Sequence, residues 1–131
     1  MAAAISGTGA ARDLILAGLR GQFTLQISSL VLEETERNLA DKAPAALPLF
    51  IQFRDFLYGA LHDPPDQLVT EVARVIVAKD APIVAAAVSA RSAYLATYDR
   101  KHLLRHKEQI EASYGISVVT PDVVVRNHPA R

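Results

Sequence analysis

The chain has 131 residues, half of them hydrophobic, enough to bury one substantial core and too few to promise two domains. Fourteen basic residues balance fourteen acidic ones, so no overall positive field marks it for nucleic acid, and any such contact must rest on a local patch. The absence of cysteine excludes disulfides and thiolate metal sites, disfavours zinc and points to a reducing cytoplasm.

The N-terminus, Met1-Ala2-Ala3-Ala4-Ile5, has neither a basic flank nor a long apolar run, so it reads as neither a signal peptide nor a membrane span. Leu14, Ile15, Ala17 and Leu19 then predict an amphipathic helix from about Gly9 to Arg20, which Gly21 can end in a left-handed cap. Phe23-Thr24-Leu25-Gln26-Ile27 alternates with period two and predicts a strand. Ser28 or Ser29 caps the next helix, which runs to about Lys42 and carries Glu33 and Glu34 near its positive end. Pro44 and Pro48 bracket a break, after which Leu49, Phe50, Phe53, Phe56 and Leu57 recur at helical spacing to about Gly59.

Asp63-Pro64-Pro65-Asp66 reads as a loop inside the domain, and Leu68 to Val77 as loop with a short element. Pro82 opens a helix whose Ala85, Ala86, Ala87 and Ala90 allow close packing on a neighbour. Next come a strand from Tyr94 to Tyr98, a helix from about Arg100 to Ala112 with Leu103, Leu104 and Ile110 inward, and Gly115 as its cap. A strand from Ile116 to Thr120 and a short turn at Pro121 close the pattern. Helices alternating with brief apolar strands predict one α/β domain over residues 1–131, with a parallel sheet covered on both faces. Charge neutrality implies that a protein partner or a second copy, as in a homo-oligomer, covers apolar surface.

Two acids stand where such sheets build sites: Asp80 at the start of the alanine-rich helix and Asp99 just past the end of an apolar strand. Either could simply cap the helix that follows. Glu34 suits its helix dipole, yet it lies three after Val31 and four after Leu30 and so leans toward an apolar side. Carboxylates converging from several elements would repel one another without a cation, and hard ions such as Mg²⁺ or Mn²⁺ choose oxygen ligands. That chemistry serves phosphodiester hydrolysis. His102 and His106 have the spacing of a metal pair but lack a third ligand, so a solvated basic face is the better reading. The run Arg100, Lys101, His102 and Arg105 is either that solvated face or a hold for an RNA backbone beside Asp99. Ser6-Gly7-Thr8-Gly9 is too short for a Walker phosphate loop and lacks its lysine.

Four segments taken together, Ser28-Ser29-Leu30-Val31-Leu32-Glu33-Glu34, Lys79-Asp80-Ala81-Pro82-Ile83, Thr97-Tyr98-Asp99-Arg100-Lys101-His102-Leu103-Leu104 and Gly115-Ile116-Ser117-Val118-Val119-Thr120-Pro121, resemble the PIN-domain family of metal-dependent ribonucleases. The resemblance implies a three-layer α/β/α fold and Mg²⁺- or Mn²⁺-dependent cleavage of single-stranded RNA, often as a toxin neutralised by an antitoxin. It implies that Glu34, Asp80 and Asp99 bind the metal and that Thr97 is a supporting hydroxyl. Tyr98 departs from the small or polar residue often found there and would narrow the cleft or stack on a base.

A larger departure lies at the start, where the family has a buried strand ending in Asp. Here Met1 to Ser6 reads as the inside of the first helix, so the first central strand and its acid are expected to be missing, as a start codon placed too late would cause. Asp13 falls well into that helix and cannot replace the acid. Two functions follow: an endoribonuclease, or a PIN-like RNA- or protein-binding module with impaired chemistry.

Overall fold

A computed structural model of the chain describes residues 2–59 and 61–128. It opens with a strand, β1 (Ala2–Ser6), and a helix, α1 (Thr8–Leu19). β2 (Thr24–Gln26) leads to α2 (Ser29–Lys42), a 3-10 turn at Pro44–Ala46 and α3 (Leu47–Gly59). α4 (Asp66–Val72) and α5 (Ala81–Ser89) precede β3 (Tyr94–Thr97), followed by α6 (Lys107–Tyr114), β4 (Ser117–Val119) and α7 (Pro121–Asn127). The four strands form one parallel sheet in the order β2-β1-β3-β4.

Alternation along the strands divides the core into two layers. Ala3, Ile5, Leu25 and Ala96 belong to a cluster with Leu14 of α1, Val31 of α2 and Val124 of α7. Ala4, Leu95 and Val118 belong to the opposite cluster, with Val72 of α4, Val84 and Ala85 of α5, and Ile110 of α6. The fold is therefore a parallel sheet between two helical layers. On α5, Ala81, Ala85 and Ala87 are wholly buried, and their small side chains let the helix lie against β1 and β3.

The first strand corrects the sequence reading. Ala2–Ser6, read as helix interior, is a central strand whose Ala3 pairs with Leu25 on one side and Tyr94 on the other. Alanine favours helix and is depleted in strands. Pairing on both edges satisfies the backbone groups of this segment, however, and buries Ala3, Ala4 and Ile5, which outweighs a preference of tenths of a kilocalorie. The central strand expected to be missing is present, with Ser6 at its end.

Two smaller differences are confined to helix starts. Residues 100–106 form turns, with Asp99 Oδ1 accepting the His102 amide at 3.1 Å, and the regular helix begins only at Lys107. Leu103 and Ile110 are buried nonetheless. Pro121 starts a helix rather than a turn, whereas the stretch read as loop with a short element is that, the seven-residue α4 followed by turns. Phe53, Phe56, Leu57, Ile15 and Leu19 lie outside the residues whose side chains are described. The capping expectations hold: Ser28 Oγ accepts the Val31 amide at 3.3 Å, and Gly115 ends α6 at φ +70°, where other residues would be strained.

The segment after α3 ties two helices together. His62 N–H donates to the Ile27 carbonyl at 2.9 Å, and its Nε2 lies 3.0 Å from Ser89 Oγ at the end of α5. Asp63 accepts the Ser29 amide at 2.7 Å and the Ser29 hydroxyl at the start of α2. These two bonds, the hydroxyl first, hold the Asp63 carboxyl below its ordinary value of 3.8. Asp63→Ala should cost about 1 kcal/mol near neutral pH, a figure already reduced for the exposure of the carboxylate. A lowered folded-state pKa stabilises only the ionised form, so the contribution is present above about pH 4 and lost as pH falls through the folded-state value. Urea melts of wild type and variant at about pH 7 and about pH 2.5 test this. Equal losses at both would remove the Ser29 bonds from the account.

Candidate active site

In a parallel sheet the strand ends and the helix starts that follow them surround a crevice. Here β1 ends at Ser6, β3 ends at Thr97, and α5 begins just after Asp80. Ser6, Glu34, Lys79, Asp80, Thr97 and Asp99 line one cleft of about 370 Å³, with Leu30 and Tyr98 among its other walls. Glu34 is half-buried and shares a helix face with Leu30, one turn earlier on α2. All three acids expected from the sequence, and Thr97, thus reach the same cleft.

Asp80 is only 4% exposed, and its carboxylate does not cap α5. The main-chain carbonyl of Asp80 instead accepts the Ile83 and Val84 amides at 3.2 and 3.1 Å. Among the described residues the carboxylate has neither a hydrogen bond nor an ion pair. The capping explanation, natural from the sequence, therefore does not account for it. The carboxylate oxygens keep contact with water only through the cleft; a carboxylate so poorly hydrated and without a partner is costly, and a cation in the cleft would offset that cost.

Asp99 serves the turn as well as the cleft. Thr97 Oγ1 accepts the Asp99 amide at 3.0 Å, and Asp99 Oδ1 accepts the His102 amide and lies 3.3 Å from His102 Nδ1. Thr97, 1% exposed, fixes the bend that presents Asp99. The three acids come from different elements, and among the described residues no three Asp, Glu or His side chains sit close enough to enclose one ion. The donor set is nonetheless all oxygen, which suits Mg²⁺ or Mn²⁺.

Sequence reasoning missed two cleft residues. Ser6 pairs in register with Thr97 and has the same strand parity as Ala4 and Leu95. Both hydroxyls therefore project to the face covered by α5, where Asp80 sits. Reading residues 2–6 as helix hid this strand end. Lys79, an exposed neighbour of Asp80, is the lysine in the cleft lining. By contrast, Arg100, Lys101 and Arg105 are exposed on the turns after Asp99, outside the lining, and His102 is half-buried against Asp99.

Tyr98 narrows the cleft. It is 47% exposed, and its ring lies so close to α1 that a Cβ added at Gly9 would come within 3.1 Å of Cδ2. Its hydroxyl donates to the Asp13 carboxylate, which places Asp13 in the support of the ring and outside the cleft. Beyond Tyr98 lies a second groove of about 420 Å³, lined by Asp13, Pro121, Asp122, Val125 and Arg126. A hydrogen bond from the Thr120 hydroxyl holds the Asp122 carboxyl below the usual aspartate value.

No family model matches the chain, and no curated protein matches it. Among solved structures, the crystal structure of PAE2754 from Pyrobaculum aerophilum is similar with a TM-score of 0.58 at 19% identity, over 96% of this chain and 88% of that one. Likeness at that identity shows the α/β fold. Among the described residues no helix is long and apolar enough to cross a membrane.

Proposed function

We propose that this chain is a PIN-type, divalent-metal-dependent endoribonuclease acting on single-stranded RNA. The observation that carries the reading is the buried, unpartnered carboxylate of Asp80 in one cleft with Glu34 and Asp99. Those three side chains, too far apart here to enclose one ion, would draw together around Mg²⁺ or Mn²⁺, which when bound acidifies water and offsets charge developing on a phosphate. Thr97 keeps the Asp99 backbone in place, and Arg100, Lys101, His102 and Arg105, on the turns beside it, would lie along the RNA backbone as it leaves the cleft. The proposed setting is the cytoplasm, as the toxin of a toxin–antitoxin pair. Exposed Leu49 and Ile51 on α3 support a protein partner, either an antitoxin or a second copy.

A second reading, a PIN-like module that binds RNA or protein with impaired chemistry, is favoured by Ser6. The central strand delivers a hydroxyl to the cleft where the family resemblance implies a carboxylate. The test is cleavage of a fluorescent single-stranded RNA by the purified chain in Mn²⁺. Slow cleavage that disappears with Asp99→Asn is the expected result. Binding of RNA without any cleavage selects the module, and cleavage indifferent to Asp99→Asn would place the chemistry elsewhere.

A further inference from the structure

We propose that the turn from Ser6 to Ala10 is an anion subsite that takes a phosphate group, with Lys79 supplying the countercharge from the same cleft. The turn runs straight from the central strand into α1, with Gly7 at φ +93° and helical residues from Thr8 onward. The first N–H groups of this 12-residue helix have no acceptors within the helix, and they carry its positive end. Gly7, Gly9 and Ala10 line the cleft, so those groups lie beside the space a ligand would occupy.

An independent observation comes from Ser6. Its side chain is buried, with the residue 8% exposed, it lines the same cleft, and among the described residues its hydroxyl has no partner. A hydroxyl so placed opens only onto the cleft, where a ligand oxygen would take the place of water as its partner. Among the described residues Lys79 likewise has no ion pair, although Asp80 is its chain neighbour and Glu34 and Asp99 share the cleft. A Walker loop carries its own lysine. Here the turn is short, and the lysine arrives from the segment before α5.

Glu34, Asp80 and Asp99 would repel an anion, so phosphate affinity should rise when a cation is bound, and by linkage phosphate should tighten the cation equally. Anion binding stands on the turn, Ser6 and Lys79. Only the identification of the phosphate with RNA rests on the nuclease reading. The group is either a diester within the strand or a terminal monoester.

The test follows the backbone amide resonances of Gly7 and Gly9 in an isotope-labelled full chain during titration with inorganic phosphate, with and without Mg²⁺. Saturable shifts at both glycines, reached at lower phosphate in Mg²⁺, are expected. Lys79→Met should weaken the response about tenfold, a charge-assisted contact, while Lys79→Arg retains it. Ser6→Asp should weaken the phosphate response in the absence of Mg²⁺, where its added charge repels the anion, and should tighten Mg²⁺. Should that variant fail to fold, Lys79→Met, at an exposed position, decides alone. Tetrauridylate with a 5′-phosphate binding more tightly than its 5′-hydroxyl form identifies a terminal monoester, and equal binding a diester. Glycine amides that do not move, or that move equally in Lys79→Met, overturn the subsite. Mg²⁺ binding without a phosphate response overturns it while leaving the nuclease reading intact, and a phosphate response without Mg²⁺ binding does the reverse.

Discussion

Replacing Asp80 with asparagine is expected to stabilise the metal-free protein and to abolish its response to Mg²⁺ or Mn²⁺. The residue is 4% exposed and its carboxylate meets water only through the cleft, with no partner among the described residues, so folding strips much of its hydration without a compensating bond. Asparagine keeps the shape and removes the charge, and the metal-free gain should be about 1 kcal/mol. In wild type, a cation at a hundred times its dissociation constant should add about 2.7 kcal/mol by linkage. For a chain of this size each kilocalorie is worth about 4 °C in melting temperature. Thermal melts in chelator and in Mn²⁺ should therefore show the order of the two proteins inverting: the variant melts higher without metal, and wild type melts higher with it. A variant that melts lower in chelator would mean that Asp80 has a structural partner, and the argument for the site would fail. An equal Mn²⁺ response in both would move the metal elsewhere.

The second large effect is expected from Ser6→Asp. Ser6 ends the central strand, is in register with Thr97 and opens into the cleft that holds Glu34, Asp80 and Asp99. A carboxylate there would add an oxygen ligand from the most constrained element of the sheet. Catalytic groups misplaced by about 1 Å lose about a hundredfold in rate, so a ligand shell completed from this position should gain cleavage of single-stranded RNA by about that factor in Mn²⁺. The same variant should lose about 1 kcal/mol in chelator, because a fourth carboxylate joins three that have no cation. Asp80→Asn in the Ser6→Asp background controls for contaminating nuclease and should return cleavage to the baseline. If Ser6→Asp binds Mn²⁺ more tightly yet cleaves no faster, the module reading is the correct one.

The acids of the cleft were legible because each is attached to a local pattern. Asp80 precedes an Ala-Pro helix start, Asp99 follows an apolar strand through Thr97-Tyr98, and Glu34 lies one turn beyond Leu30 on a helix that Ser28 caps. Chain-local spacing suffices to say that such residues stand at the ends of elements, and the parallel sheet then brings those ends together.

What sequence could not supply is set by contacts between distant segments. Ala2 to Ser6 reads as helix by propensity and is a strand only because Thr24–Gln26 and Tyr94–Thr97 flank it on both sides. Once that register exists, strand parity puts Ser6 and Thr97 on one face and makes Ser6 part of the cleft. The missing cap on Asp80, the entry of Lys79 into the lining and the hold of Asp13 on Tyr98 arise in the same way. Chain-local pattern was enough to say which residue types were available and, for the three acids, which element each begins or follows. The tertiary structure decided which of them share a cleft, because burial and backbone pairing over long separations outweigh local preferences worth only tenths of a kilocalorie per residue.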